Sequence, residues 1–134
     1  MVGINDQTGK WLGGFSHVVQ SLGIIFTTPI AARVMRRTFG SAVPALLGRS
    51  LTIPTILKFK TAIIVAVELF EPRFRITIIP GSPRDTPARL RKGQVGFVVQ
   101  GHYRPRGHLG DPTEEDTESI FAIGTNDGQT IRVS

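Results

Sequence analysis

The stretch "IPTILKFKTAIIVAVELF" constrains this chain most. Wound as a helix from Thr52, its cap, to about Phe70, it carries apolar side chains on nearly every face. Pro54 falls in the first turn, where a missing N–H costs nothing. A helix of this kind belongs in a core. Ile56, Leu57, Ile63, Ile64, Val67 and Phe70 are therefore expected to be mostly buried, with the helix covered on more than one face. A chain of 134 residues that is 40% hydrophobic builds one such core, so a single domain over 1–134 is expected. The apolar run Thr61–Phe70, with Glu68 inside it, is about half of the ~20 residues a membrane span needs. "MVGINDQTGKW" has no signal-peptide layout. Both points predict a soluble protein with no membrane partner. Cysteine is absent, which removes disulfides and thiolate metal sites.

The apolar stretch stops at Glu71-Pro72-Arg73. Pro72 cannot continue a helix and pushes Glu71 out of helical geometry. Beyond it "RFRITII" alternates Arg73, Arg75 and Thr77 with Phe74, Ile76 and Ile78, the period of a half-buried strand. A turn-rich connection follows. "QVGFVVQGHY", from Gln94 to Tyr103, reads as a second strand with a glycine suited to a bulge. The polar excursion 104–118 comes next, then two short strands around Asn126-Asp127-Gly128, a hairpin signal.

Upstream of the long helix, Ser16 is placed to cap a helix through Phe26, with Val18, Leu22, Ile25 and Phe26 on one face. Thr27 or Thr28, followed by Pro29, predicts a second helix from Ile30 to about Thr38. A short one spans Pro44 to Leu47, and residues 1–14 form an N-terminal arm. Helices first and strands second predict an α+β fold, N-terminal helices packed on a small antiparallel sheet.

Charge narrows the function. Sixteen basic residues face ten acidic ones, and five of the acids (Asp111, Glu114, Glu115, Asp116 and Glu118) lie in "GDPTEEDTES". The rest of the chain carries sixteen against five, a balance of +11. Such a body suits an anionic partner, nucleic acid or an acidic protein face. Arg33, Arg36 and Arg37 cluster on the predicted second helix, and Arg84, Arg89, Arg91 and Lys92 on the connection. A small basic nucleic-acid-binding protein is the alternative function, but no aromatic residues interleave with the cations to stack bases. Nucleic acid is therefore not the expected partner. His17, His102 and His108 show no ligand spacing, so neither a metal nor another cofactor is expected.

"TGKWLGG", "HVVQSLGIIFTTPIAARVMRRTFGS", "PALL" and "EPRF" occur in an order and spacing that resembles the W-type baseplate assembly proteins of contractile-tailed phages. These are the lysozyme-like baseplate wedge family, related to type VI secretion baseplate components. The likeness covers roughly residues 8 to 80. The chain departs from the pattern at Gly48-Arg49, where an acidic residue is frequent, at Phe39 in place of tyrosine, and in the insertion 104–118. The resemblance implies a structural virion protein of the tail baseplate, assembled in the host cytoplasm, that joins wedge proteins around the tube end and templates the first sheath ring. It implies wedge and sheath proteins as partners, with tail tube or hub proteins as candidate further contacts. Glu71, Pro72 and Arg73 are then the family's partner-contacting motif, joined here by the basic cluster Arg33, Arg36 and Arg37. An enzyme is not expected. A glycosidase needs two carboxyls flanking a cleft, and Glu68 and Glu71, three residues apart, stand beside no aromatic sugar platform.

Overall fold

The computed structural model describes residues 2–46, 49, 52–80, 87–91, 95–115, 117–124 and 131–133. Two short strands, β1 (Val2–Ile4) and β2 (Trp11–Gly13), pair antiparallel as a hairpin within 1–14. The Asn5 side chain closes its turn, accepting from the N–H groups of Gln7 and Thr8 at 2.9 Å. Helix α1 (Gly14–Thr27) starts two residues before Ser16, and its cap is Gly13, without a side-chain bond. Gly14 at φ +61° makes the sharp entry that a side chain would strain. The remaining elements are α2 (Val43–Leu46), α3 (Ile53–Phe70), β3 (Phe74–Ile78), α4 (Pro87–Arg91), β4 (Val95–Tyr103), β5 (Thr117–Gly124) and β6 (Ile131–Val133).

The second sheet is antiparallel with order β3-β4-β5-β6. This is the predicted α+β arrangement of helices on a small antiparallel sheet. The Asn126–Gly128 turn lies outside the described residues. The bulge falls on β3, where the register shifts between Ile76 and Ile78 opposite Gly101 and Gln100. A Cβ on Gly101 would collide with the Arg75 carbonyl, so glycine is what lets the two strands close here.

One core joins the layers. Val18, Leu22, Ile25 and Phe26 of α1 meet Phe59, Ile63, Ala66 and Val67 of α3, and Phe74, Phe97 and Val99 close it from the sheet. Phe59 and Phe97 stack at 5.7 Å. The Phe15 ring meets Tyr103 edge-on.

Two expectations fail. Leu57 and Ile64 are exposed, as are Val65 and Leu69, while Ile56 and Phe70 are half-buried. Among the described residues α3 is covered by α1, α2 and the sheet, and the face carrying Leu57, Ile64, Val65 and Leu69 stays open. The helix from Ile30 to Thr38 does not form. Ala31 takes a left-handed φ of +70°, which breaks the helical run just after Pro29. Residues 29–40 instead make an exposed loop, closed by Ser41 N–H donating to the Thr28 carbonyl at 2.9 Å and Ala31 N–H donating to the Arg37 carbonyl at 2.9 Å. Gly40, at φ +131°, lies against the backbone of Thr28 and Pro29, where a Cβ has no room.

Candidate functional site

The joint after α3 is a folded knot of charge. Arg73 donates from Nε to Glu71 Oε1 at 2.6 Å and from Nη2 to Glu71 Oε2 at 2.9 Å, a two-pronged pair between residues two apart. Glu71 is 2% exposed and Arg73 5%. The third prong, Nη1, reaches His17 Nδ1 at 2.9 Å. An arginine only donates, so Nδ1 accepts and His17 carries its proton on Nε2. Burial first, and then the Arg73 charge, holds the His17 pKa below its ordinary value, against the opposing pull of Glu71.

The backbone makes this geometry. α3 ends with Glu71 N–H donating to the Val67 carbonyl at 2.9 Å, and Pro72 forces the turn that swings Arg73 back toward Glu71. Phe74 N–H then donates to the Glu71 carbonyl at 3.1 Å, and Arg104 N–H to the Arg73 carbonyl at 2.7 Å. Within the insertion, Gly107–Leu109 form a single 3-10 turn, and Gly107 sits so close to the Pro72 carbonyl that a Cβ would clash. Of the three motif residues, Glu71 and Arg73 face inward against each other, and Pro72 alone is exposed.

Sequence reasoning did not see His17 as part of the joint. It lies 56 positions from Arg73, and no local spacing announces such a pair. The hairpin also packs here, since a Cβ at Gly3 would strike the His17 ring.

Beside the joint is a polar cavity of about 340 Å³, lined by Glu68, Glu71, Arg75, Arg104 and Asp111 among others. Of these, Glu71, Arg104 and Asp111 are engaged in ion pairs. Arg104 Nη2 donates to Glu114 at 2.6 Å, and Arg106 Nε approaches Asp111 at 3.2 Å. The Arg104 bond holds Glu114 below its usual pKa, and hydrogen bonds from Thr113 do the same for Asp111.

Arg33, Arg36 and Arg37 are elsewhere, all exposed in the loop 29–40. The guanidiniums of Arg33 and Arg36 lie 4.5 and 5.6 Å from the centre of the Phe39 ring. Phe39 in turn packs on Phe70 of α3 at 5.1 Å. Between Arg33 and Arg36, Met35 stands 94% exposed and Val34 79%. The structure thus does not bring the six candidate residues into one patch: the joint holds a buried pair, and the three loop cations lie apart from it. Among the described residues no cluster of His, Asp or Glu is arranged to hold a metal, and no helix is long and apolar enough to cross a membrane.

The family model for "Baseplate wedge protein gp25" matches residues 14–106, which span both the loop and the joint. Baseplate protein W of Escherichia phage P2 is 30% identical over 106 residues, 79% of this chain and 87% of that protein. Two solved structures share the fold. A putative tail lysozyme from Geobacter sulfurreducens superposes with a TM-score of 0.63 at 21% identity, covering 85% of this chain and 93% of that one. A chain of the postcontracted baseplate of pyocin R2 superposes with a TM-score of 0.63 at 22% identity, covering 78% and 99%.

Proposed function

This chain belongs to the baseplate wedge protein gp25 family, and from that premise we propose that it is a non-enzymatic building block of a contractile-tail virion, joining wedge proteins around the tube end and templating the first sheath ring. The observation that carries the reading is the family match across residues 14–106, which includes the charged joint and the cationic loop. In this reading the two places play different parts. Glu71 and Arg73 lock the end of α3 to the start of β3 and to α1, so that the exposed Pro72 is held rigidly toward a partner. Arg33, Arg36 and Arg37 are free of any carboxylate in their own loop and meet a partner's acids directly.

Templating of the sheath would use the sheet. β3 is an outer strand, and an outer strand offers unpaired N–H and C=O groups to a strand from another chain. Main-chain pairing supplies affinity there, and alternating side chains set the register. The non-enzymatic reading is supported by the state of the carboxylates. Glu71, needed as one member of a Glu68–Glu71 pair, has both oxygens tied to Arg73. The "lysozyme" in the name of one structural relative describes that protein and a shared fold.

The test is reconstitution. The purified chain, mixed with the wedge and sheath proteins of its own phage, is expected to co-migrate with wedge components. A residue-level map of the extended tail is expected to show a sheath strand beside β3. Absence of the chain from assembled tails would overturn the baseplate reading. A map in which β3 pairs with no other chain would overturn templating alone.

A further inference from the structure

We propose that the open face of α3 and the loop 29–40 form one docking groove for an acidic amphipathic α-helix of another chain. The inference rests on the reading that this protein works by holding other baseplate chains, and adds the surface and the chemistry of the partner. The groove encloses about 520 Å³ and is almost wholly apolar. Leu57, Val65 and Leu69 line it from α3 and Ile30 from the loop, and Leu69 is 67% exposed.

The shape suits a helix. Leu57, Thr61, Val65 and Leu69 recur every four residues, the ridge that a second helix packs against. At 1.5 Å per residue this ridge runs roughly 18 Å, more than three turns of a bound helix. A strand would find no free main-chain edge along a helix face.

The charge selects the partner. Lys58 lines the groove, and Phe70, also in its wall, carries Phe39 with Arg33 and Arg36 stacked over it. None of the described lining residues is acidic. Glu68 lines the polar cavity instead. A second copy of this chain, with net charge +6, would set cations against cations. Within its own acidic segment Asp111 is already paired with Arg106 and Glu114 with Arg104. What fits is a helix with an apolar stripe flanked by Glu or Asp, whose stripe covers the ridge while its acids reach Lys58, Arg33 and Arg36.

The test uses the purified full chain and three fluorescein-labelled peptides about six turns long. One carries Leu at i, i+3, i+4 and i+7 with Glu on the flanks, one has Lys in place of Glu, and one is a scramble of the first. Fluorescence anisotropy is expected to show the Glu peptide binding at least ~10-fold more tightly than either control. That preference is expected to shrink in high salt. Val65→Asp is expected to abolish binding, and Arg33→Glu with Arg36→Glu to invert the preference. All three positions are exposed, so the variants should melt as the parent does. Leu57→Gln serves in place of Val65→Asp if the latter does not fold. Failure of the Glu peptide to bind, equal binding of the Glu and Lys peptides, or binding indifferent to the groove substitutions would each overturn the proposal. Self-association in sedimentation that Val65→Asp removes would make a second copy the occupant, and overturn it too. None of these outcomes bears on whether the chain enters tails, which is what decides the baseplate reading.

Discussion

Arg73 and Arg36 are each arginines beside an apolar residue, Phe74 and Met35, yet their fates are opposite. Arg73 lies inside, all three of its outer nitrogens bonded, because a carboxylate two residues earlier and a histidine from α1 await it. Arg36 lies outside, because its loop contains no acid and only a phenylalanine ring to rest on. A charge that the fold itself satisfies stabilises the chain. A charge it leaves in solvent, next to exposed Val34 and Met35, is available to a partner. The motif that looks most functional in the sequence is thus the one whose charges are spent internally.

The contrast predicts unequal losses. Glu71→Ala leaves Arg73 buried without its carboxylate, and breaking such a pair costs about 3–5 kcal/mol. Chemical denaturation should show that fall, against under about 0.5 kcal/mol for Arg37→Ala on the exposed loop. A Glu71→Ala protein as stable as the parent would mean the joint is not structural.

The same division runs along α3. Ile63→Ala, at 2% exposure, should cost about 2–5 kcal/mol. Ile64→Ala, its neighbour on the open side, is expected to cost less than half as much. Equal losses would place cover over a face that the single chain leaves open.

Acid should act through the joint before it touches the loop. His17 is held below its ordinary pKa of 6.5, so the unfolded chain takes up its proton first as pH falls. Stability is then complete above about 6.5 and declines as pH drops toward the lower folded value. His17→Gln, which keeps an acceptor for Arg73, should flatten that decline in thermal melts. An unchanged slope would mean that another group sets it. A small effect is expected from Arg33→Ala in the same chemical denaturation measurement, since its contact with the Phe39 ring contributes about 0.5–1 kcal/mol at an exposed site.

Much of this architecture is readable in the residues. Alternation in "RFRITII" and the stop at Pro72 locate β3 and the end of α3, and the spacing of Val18, Leu22, Ile25 and Phe26 gives the buried face of α1. What misleads is hydrophobicity without direction. Leu57 and Ile64 carry the same local signal as Ile63 and Val67, and only the count of covering layers separates them. At 29–40 a good helical composition is broken at Ala31, whose φ is +70°, and the loop then closes through Gly40. The joint is half visible: Glu71 and Arg73 lie two apart in sequence, but their burial depends on His17 and the hairpin, brought from a distance by the fold.

The central claim is that the joint holds the fold while the loop binds. It is tested most directly by Arg33→Ala, Arg36→Ala and Arg37→Ala combined in one protein, supplied to a phage lacking this chain, with thermal midpoint and tail assembly measured side by side. The account predicts a midpoint within a few degrees of the parent, since the lost contacts are exposed, and a failure to form contractile tails. Normal tails from that variant would contradict it.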